Sequence, residues 1–191
     1  AHLVFDIDGD ITLDSATGVF IAKENGTEFS IANSAYAGMI LGYRIIGEDA
    51  ADANSGSLGT SFATIHDDCS VTFRAPPSGN VEITVQTYIV TSSNSEVIEF
   101  RLSTTNLSGG SYTSLGIQYE QRVSIGDRSE DGVIQLSWAV TGLTPGAVDT
   151  YWLAAEATTG TTTLNWGGDA TSEYPDFIMK VIALPEATTD Y

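Results

Sequence analysis

At 191 residues the chain has room for one large domain, or an ordinary domain with an appendage. Hydrophobic residues make up 42% and charged residues only 17%. With abundant Gly, Ser and Thr, that mix suits a turn-rich β-sandwich or barrel and argues against a helical bundle or a disordered chain. The 25 acidic residues outnumber the 7 basic ones, for a net charge of −18, so the chain repels phosphate backbones and anionic lipid, and neither nucleic acid nor membrane insertion is expected.

The chain opens on Ala1-His2 and enters a strand-like pattern at once, which reads as a cleaved product or the C-terminal part of something longer. Residues 1–35 read as a repetitive β segment. Apolar pairs follow Gly9 (Ile11, Leu13), Gly18 (Val19, Ile21) and Gly26 (Phe29, Ile31) with a step of two. Each unit is a short strand and a turn, too small to bury its own apolar face. Three copies around an axis would make a continuous core, as in a fibre shaft. The alternative is an N-terminal meander packed on the main domain. Asp6, Asp8, Asp10 and Asp14 invite a calcium loop, but counting from Asp6 the required Gly and Glu positions hold Ile11 and Thr17, so no metal is expected there.

Residues 36–185 form the main domain, followed by a tail at 186–191. Strand-like runs recur at 37–47, 69–75, 80–90, 96–102, 115–125, 132–140, 149–157, 161–167 and 176–184, separated by turn signals such as Pro76-Pro77-Ser78-Gly79. Val81, Ile83, Val85 and Ile89 share one face, as do Ile98, Phe100 and Leu102, with Glu99 and Arg101 opposite. Nine strands and no convincing helix predict an all-β fold, an antiparallel, jelly-roll-like sandwich. The single cysteine, Cys69, has no disulfide partner and reads as a small buried hydrophobe at a strand start.

The first and last strands are apolar on both faces, which a half-exposed antiparallel strand should not be. Alternation places Met39, Leu41, Tyr43 and Ile45 on one side of the first, with Ile40 and Ile46 on the other. In the last, Phe177, Met179 and Val181 oppose Ile178, Ile182 and Leu184. Something must cover the outer side: the N-terminal segment or another copy. A jelly-roll trimer packs its terminal strands near the three-fold axis, so Met39, Leu41, Tyr43, Ile178, Ile182 and Leu184 are the expected contacts of a homotrimer.

Catalytic chemistry is not expected. His2 and His66 are the only histidines and neither sits in a nucleophile motif. No phosphate-cradling loop, zinc spacing or redox pair is present, so no cofactor is expected. Paired carboxylates of a glycosidase are not excluded by sequence, although the domain is small for one. Trp138 and Trp152 lie in strands and read as core. Tyr112, Trp166, Asp169 and Tyr174 lie at strand ends, where aromatic faces beside carboxylates suit a sugar ring. The competing reading is that Trp166 and Tyr174 brace the loop into the last strand.

The stretches AGMILGYRIIGEDAA, CSVTFRAPPSGNVEITVQTYI, SLGIQYEQRV, LSWAVTGLTPGAVDTYWLAAEA and LNWGGDATSEYPDFIMKVIALP resemble a recurrent C-terminal domain of virion and tail-fibre proteins of marine phages, cyanophages included. Gly9 to Asp14 resembles the Gly-Asp-Ile-x-Leu-Asp units often found upstream of it. The resemblance spans most of residues 36–185. It implies an extracellular, trimeric fibre or appendage subunit that touches neighbouring virion proteins and a host cell-surface glycan, and it supplies no catalytic residues. VTGLTPGAVDTYWLAAEATTG also looks like part of a fibronectin-type module, which leaves a bacterial surface adhesion or carbohydrate-binding domain as the second reading.

Overall fold

The structure, a computed structural model, describes residues 22–24, 27–29, 37–47, 55–91, 97–107, 117–124, 131–158, 162–169 and 172–185. All secondary structure among them is β. In chain order the strands are β1 (Ala22–Glu24), β2 (Thr27–Phe29), β3 (Ile40–Ile46), β4 (Ser55–Ser57), β5 (Ala63–Thr64), β6 (Ser70–Arg74), β7 (Val81–Thr91), β8 (Val97–Ser103), β9 (Ile117–Ser124), β10 (Gly132–Val140), β11 (Val148–Ala157), β12 (Thr162–Asn165), β13 (Gly168–Asp169), β14 (Ser172–Glu173) and β15 (Phe177–Ala183). Of the expected 1–35 segment only the β1–β2 hairpin is described, and the 186–191 tail lies outside the described residues.

Every expected strand of the main domain is present, and every pairing is antiparallel. One sheet runs β3-β15-β7-β10. Short β12 continues along the edge of β7 that β15 occupies, with β4 outside it. The other runs β6-β11-β8-β9, with β5 beside β11. Among the eight long strands every chain connection except β8 to β9 changes sheet, which is the winding of a jelly roll.

Alternation explains the sandwich. Along β7 every second side chain from Val81 to Thr91 is buried. Opposite it, β10 turns Leu136, Trp138 and Val140 inward and β15 turns Phe177, Met179 and Val181 inward. The second sheet contributes Ile98, Phe100, Leu102, Tyr151 and Leu153 to the same core. Each fully buried aliphatic side chain contributes about 1.5–3 kcal/mol relative to exposure.

The Pro76-Pro77-Ser78-Gly79 break is a tight turn that needs glycine. Gly79 has φ +66°, and a Cβ there would meet the Leu143 carbonyl oxygen at 2.6 Å. The sheets come closest at one edge, where a Cβ on Gly42 of β3 would lie 2.8 Å from the Thr72 carbonyl oxygen of β6. An Arg44–Asp68 ion pair clips the same corner. Both partners are well exposed, so it adds less than about 1 kcal/mol.

Candidate functional site

The two outer faces of the sandwich differ. On β8, Glu99, Arg101 and Ser103 point away from the core, as the alternation predicts, yet Glu99 is buried and Ser103 fully so. Their own chain covers them. The Arg101 guanidinium lies 3.9 Å from the ring centre of buried Phe62 and 3.8 Å from Glu99. The loop after β8 is tied across the sheet: the Leu107 amide donates to Thr64 Oγ1, and Asn106 Nδ2 donates to Asp67 Oδ1 at 2.9 Å.

The outer face of the first sheet lacks such a cover among the described residues. Its registers build three rows across four strands: Ile45-Ile178-Gln86-Gln135, Tyr43-Lys180-Thr84-Ser137, and Ile40-Ile182-Glu82-Ala139. Tyr88 and Val133 extend it at one end. Ile40, Tyr43, Ile45 and Val133 are 53%, 57%, 43% and 50% exposed. A groove of about 470 Å³ crosses this face, lined by Glu82, Thr84, Gln86, Gln135, Ser137, Ile178 and Lys180 among others. Gln135 Nε2 donates to Gln86 Oε1 at 3.3 Å and the Ser137 hydroxyl donates to Glu82. The groove therefore offers amide and hydroxyl hydrogen bonds, one cation, one carboxylate, and apolar walls.

Of the residues expected in a trimer contact, Tyr43, Ile178 and Ile182 meet on this face. Leu41 does not. The β3–β15 pairing slips by one residue between Val181 and Ile182, a bulge that turns Leu41 toward the core and puts Ile40 in line with Tyr43 and Ile45. The expected face of Met39, Leu41, Tyr43 and Ile45 is corrected accordingly. Met39 and Leu184 are half-buried beyond it. The Met39 carbonyl accepts from Ala183 N at 2.9 Å, and Leu184 N donates to the Asn80 carbonyl at 2.9 Å.

Of the sugar contacts expected at strand ends, the two described aromatic side chains, Trp166 and Tyr174, do not form one exposed cluster. Trp166 is completely buried, with edge-on contacts to His66 and Phe177 at ring-centre distances of 6.1 and 6.0 Å, so it presents no ring face to a ligand. Its burial fits the bracing reading. Tyr174 is half-buried against Tyr88, ring centres 5.3 Å apart, and its amide donates to the Gly167 carbonyl at 2.7 Å. That places Tyr174 at the rim of the outer face, beside the Tyr88–Val133 end. The backbone of Asp169 pairs with Ser172, and Tyr112 lies outside the described residues. Trp138 is core, while Trp152 is half-buried on the loop-covered side.

His66 Nδ1 accepts the Asp68 amide at 3.2 Å, and burial pushes the Cys69 thiol far above its usual range, with the Asp68 charge adding to the rise. No group of three or more His, Cys, Asp or Glu side chains able to hold a metal occurs among the described residues.

No protein-family model matches the chain, and no curated protein matches it. Three solved structures show distant likeness. The Eiger TNF of S. frugiperda is 11% identical, with a TM-score of 0.44, over 80% of this chain and 98% of that one. Dimeric latent PorU of Porphyromonas gingivalis is 10% identical, with a TM-score of 0.36, over 85% of this chain and 14% of that one. The CBM22-1 and GH10 modules of Clostridium thermocellum endo-1,4-beta-D-xylanase 10B, complexed with xylohexaose, are 8% identical, with a TM-score of 0.29, over 84% of this chain and 30% of that one.

Proposed function

We propose that this chain is a non-enzymatic structural and binding module of an extracellular particle, the head of a homotrimeric phage fibre or appendage, and that its copies pack through the outer face of β3-β15-β7-β10. The carrying observation is the asymmetry of the two sheets. Among the described residues, one outer face carries its own loops over β8, where Glu99 and Ser103 are buried, and is open toward Thr72, Arg74 and Val148, while the other leaves Ile40, Tyr43 and Ile45 about half exposed around a groove. Covering the exposed half of such side chains contributes about 1 kcal/mol each, and soluble chains seldom leave a contiguous patch of this kind open. The virion assignment is supported by the sequence blocks of the main domain that resemble phage fibre domains. A contact between copies is supported by the clustering of Tyr43, Ile178 and Ile182 on that face, and the number three by the resemblance to trimeric fibre domains.

Analytical ultracentrifugation of the full chain tests this. A particle of three times the chain mass is expected at micromolar concentration, and Ile182→Asp, which replaces apolar surface in the row beside Lys180 with a charge, should reduce it to monomer with its melting transition retained. A wild-type monomer, or an Ile182→Asp variant that assembles unchanged, refutes the arrangement.

A further inference from the structure

Among the described residues, the groove contains a cation without a partner. Among the cationic side chains described, Arg44 is paired with Asp68, Arg74 donates to the Gly146 carbonyl, and Arg101 lies against Phe62 and Glu99. Lys180 has no carboxylate within 4.0 Å and no hydrogen bond among the described residues. It is half-buried in the central row, Tyr43-Lys180-Thr84-Ser137, with Ile178 and Ile182 before and after it on the same face. The one carboxylate lining the groove, Glu82, stands in the next row and already accepts the Ser137 hydroxyl.

This arrangement has a consequence for whatever covers the face. Closing apolar surface over an ammonium strips its water, and an enclosed unpaired charge is strongly unfavourable. An occupant that brings an anion to Lys180 removes that penalty, because Glu82 is already engaged by Ser137 and stands one row away. A second copy of this chain is suited to do so, because its 25 acidic and 7 basic residues make a carboxylate the usual charge on any segment it presents. The groove also matches such a segment, since Thr84, Gln86, Gln135 and Ser137 can pair with its backbone or side-chain polar groups. Resting on the assembly reading above, we infer that the groove around Lys180 receives a carboxylate-bearing segment of a neighbouring copy, and that this contact fixes which part of one copy meets the face of the next.

Zero-length carbodiimide coupling tests it directly. The reagent activates a carboxylate, the Lys180 Nζ displaces the urea, and an amide remains that mass spectrometry can place. Full-length chains, half of them 15N-labelled, are mixed, allowed to exchange and coupled. Mixed-isotope peptides joining Lys180 to an Asp or Glu are expected. Lys180→Arg should assemble as wild type yet lose the coupling, whereas Lys180→Met should assemble about tenfold more weakly and Lys180→Glu more weakly still. Raising salt from about 0.1 M to about 1 M, where screening shortens from about 10 Å to about 3 Å, also relieves the repulsion between acidic copies, so the wild type should weaken relative to Lys180→Met. An assembled wild type whose Lys180 couples only within its own chain or not at all overturns this inference alone, as does a Lys180→Met variant with wild-type assembly. A monomeric wild type overturns the assembly reading instead, and if that monomer binds a uronic-acid oligosaccharide in a Lys180-dependent way, the groove belongs to an acidic glycan.

Discussion

Replacing Trp166 with alanine separates a core role from a ligand role. The indole has no exposed surface and belongs to the core cluster, between His66 and Phe177. Truncating a buried tryptophan to alanine costs about 3–5 kcal/mol in lost burial and cavity. One feature offsets this: Trp166 Nε1 has no hydrogen-bond partner, and removing an unpaired buried donor returns about 1–3 kcal/mol. The net loss should be about 2 kcal/mol, and for a chain of this length each kcal/mol lowers the melting temperature by about 2–4 °C. Trp166→Ala should therefore melt about 4–8 °C lower by near-ultraviolet circular dichroism. Trp166→Phe, which keeps a ring and discards the unpaired N–H, should lose about 1 kcal/mol. A Trp166→Ala melting point within about 2 °C of wild type would refute the assignment to the core. So would a fully stable variant that had lost binding to host cells or glycans.

Gly79→Ala should cost about 2–4 kcal/mol by denaturant titration, because alanine is disfavoured at φ +66° and its Cβ would press on the Leu143 carbonyl oxygen. Burial holds the Cys69 thiol protonated in the folded chain. In the unfolded chain it ionises above its ordinary value of about 8.5. Its contribution to stability is thus intact below that pH and falls as pH rises, by up to about 1.4 kcal/mol per unit. Cys69→Ala should remove that component of the slope in urea titrations between pH 8 and pH 10, and native Cys69 should resist iodoacetamide until the chain unfolds. A fragment of residues 36–191 should keep its melting transition, since every core residue among the described ones lies at Ile46 or beyond. It should assemble less tightly than the full chain by sedimentation, whereas failure to fold would favour the N-terminal meander.

The nine main strands were legible because an antiparallel sandwich writes its inner face into the sequence at every second residue, and β7 does so over its whole length. The two- and three-residue strands β4, β5, β13 and β14 carry no period to read. Leu41 was misassigned because its direction depends on a slip against Val181 and Ile182, far away in sequence, that no local pattern encodes. Glu99 and Arg101 were correctly read as pointing away from the core, but their burial depends on Phe62 and the loop after Ser103, which lie over them only in three dimensions. For Trp166 both readings were open, since an aromatic before Gly167-Gly168-Asp169 looks the same whether it points inward or outward. Lys180 did leave a trace: it is the single charge inside the apolar run from Phe177 to Leu184.

Fold and proposed assembly draw on alternate positions of the same strands, which makes them separable. In β15, Phe177, Met179 and Val181 hold the core, while Ile178, Lys180 and Ile182 belong to the outer face. In β7, Val81, Ile83 and Val85 face inward and Glu82, Thr84 and Gln86 line the groove. A substitution at an inner position removes burial from the monomer and must lower its melting point whatever the copies do. One at an outer position leaves the monomer's core contacts intact, so its effect can appear only where another molecule covers the face. Met179→Ala and Lys180→Met are neighbours in the chain, yet the first should unfold the sandwich early without changing which surface associates, and the second should weaken association without moving the melting point of the dissociated chain. Because the period of two also fixes the face, this contrast depends on β15 keeping its register with β7, and that register is continuous from Ile178 to Ala183.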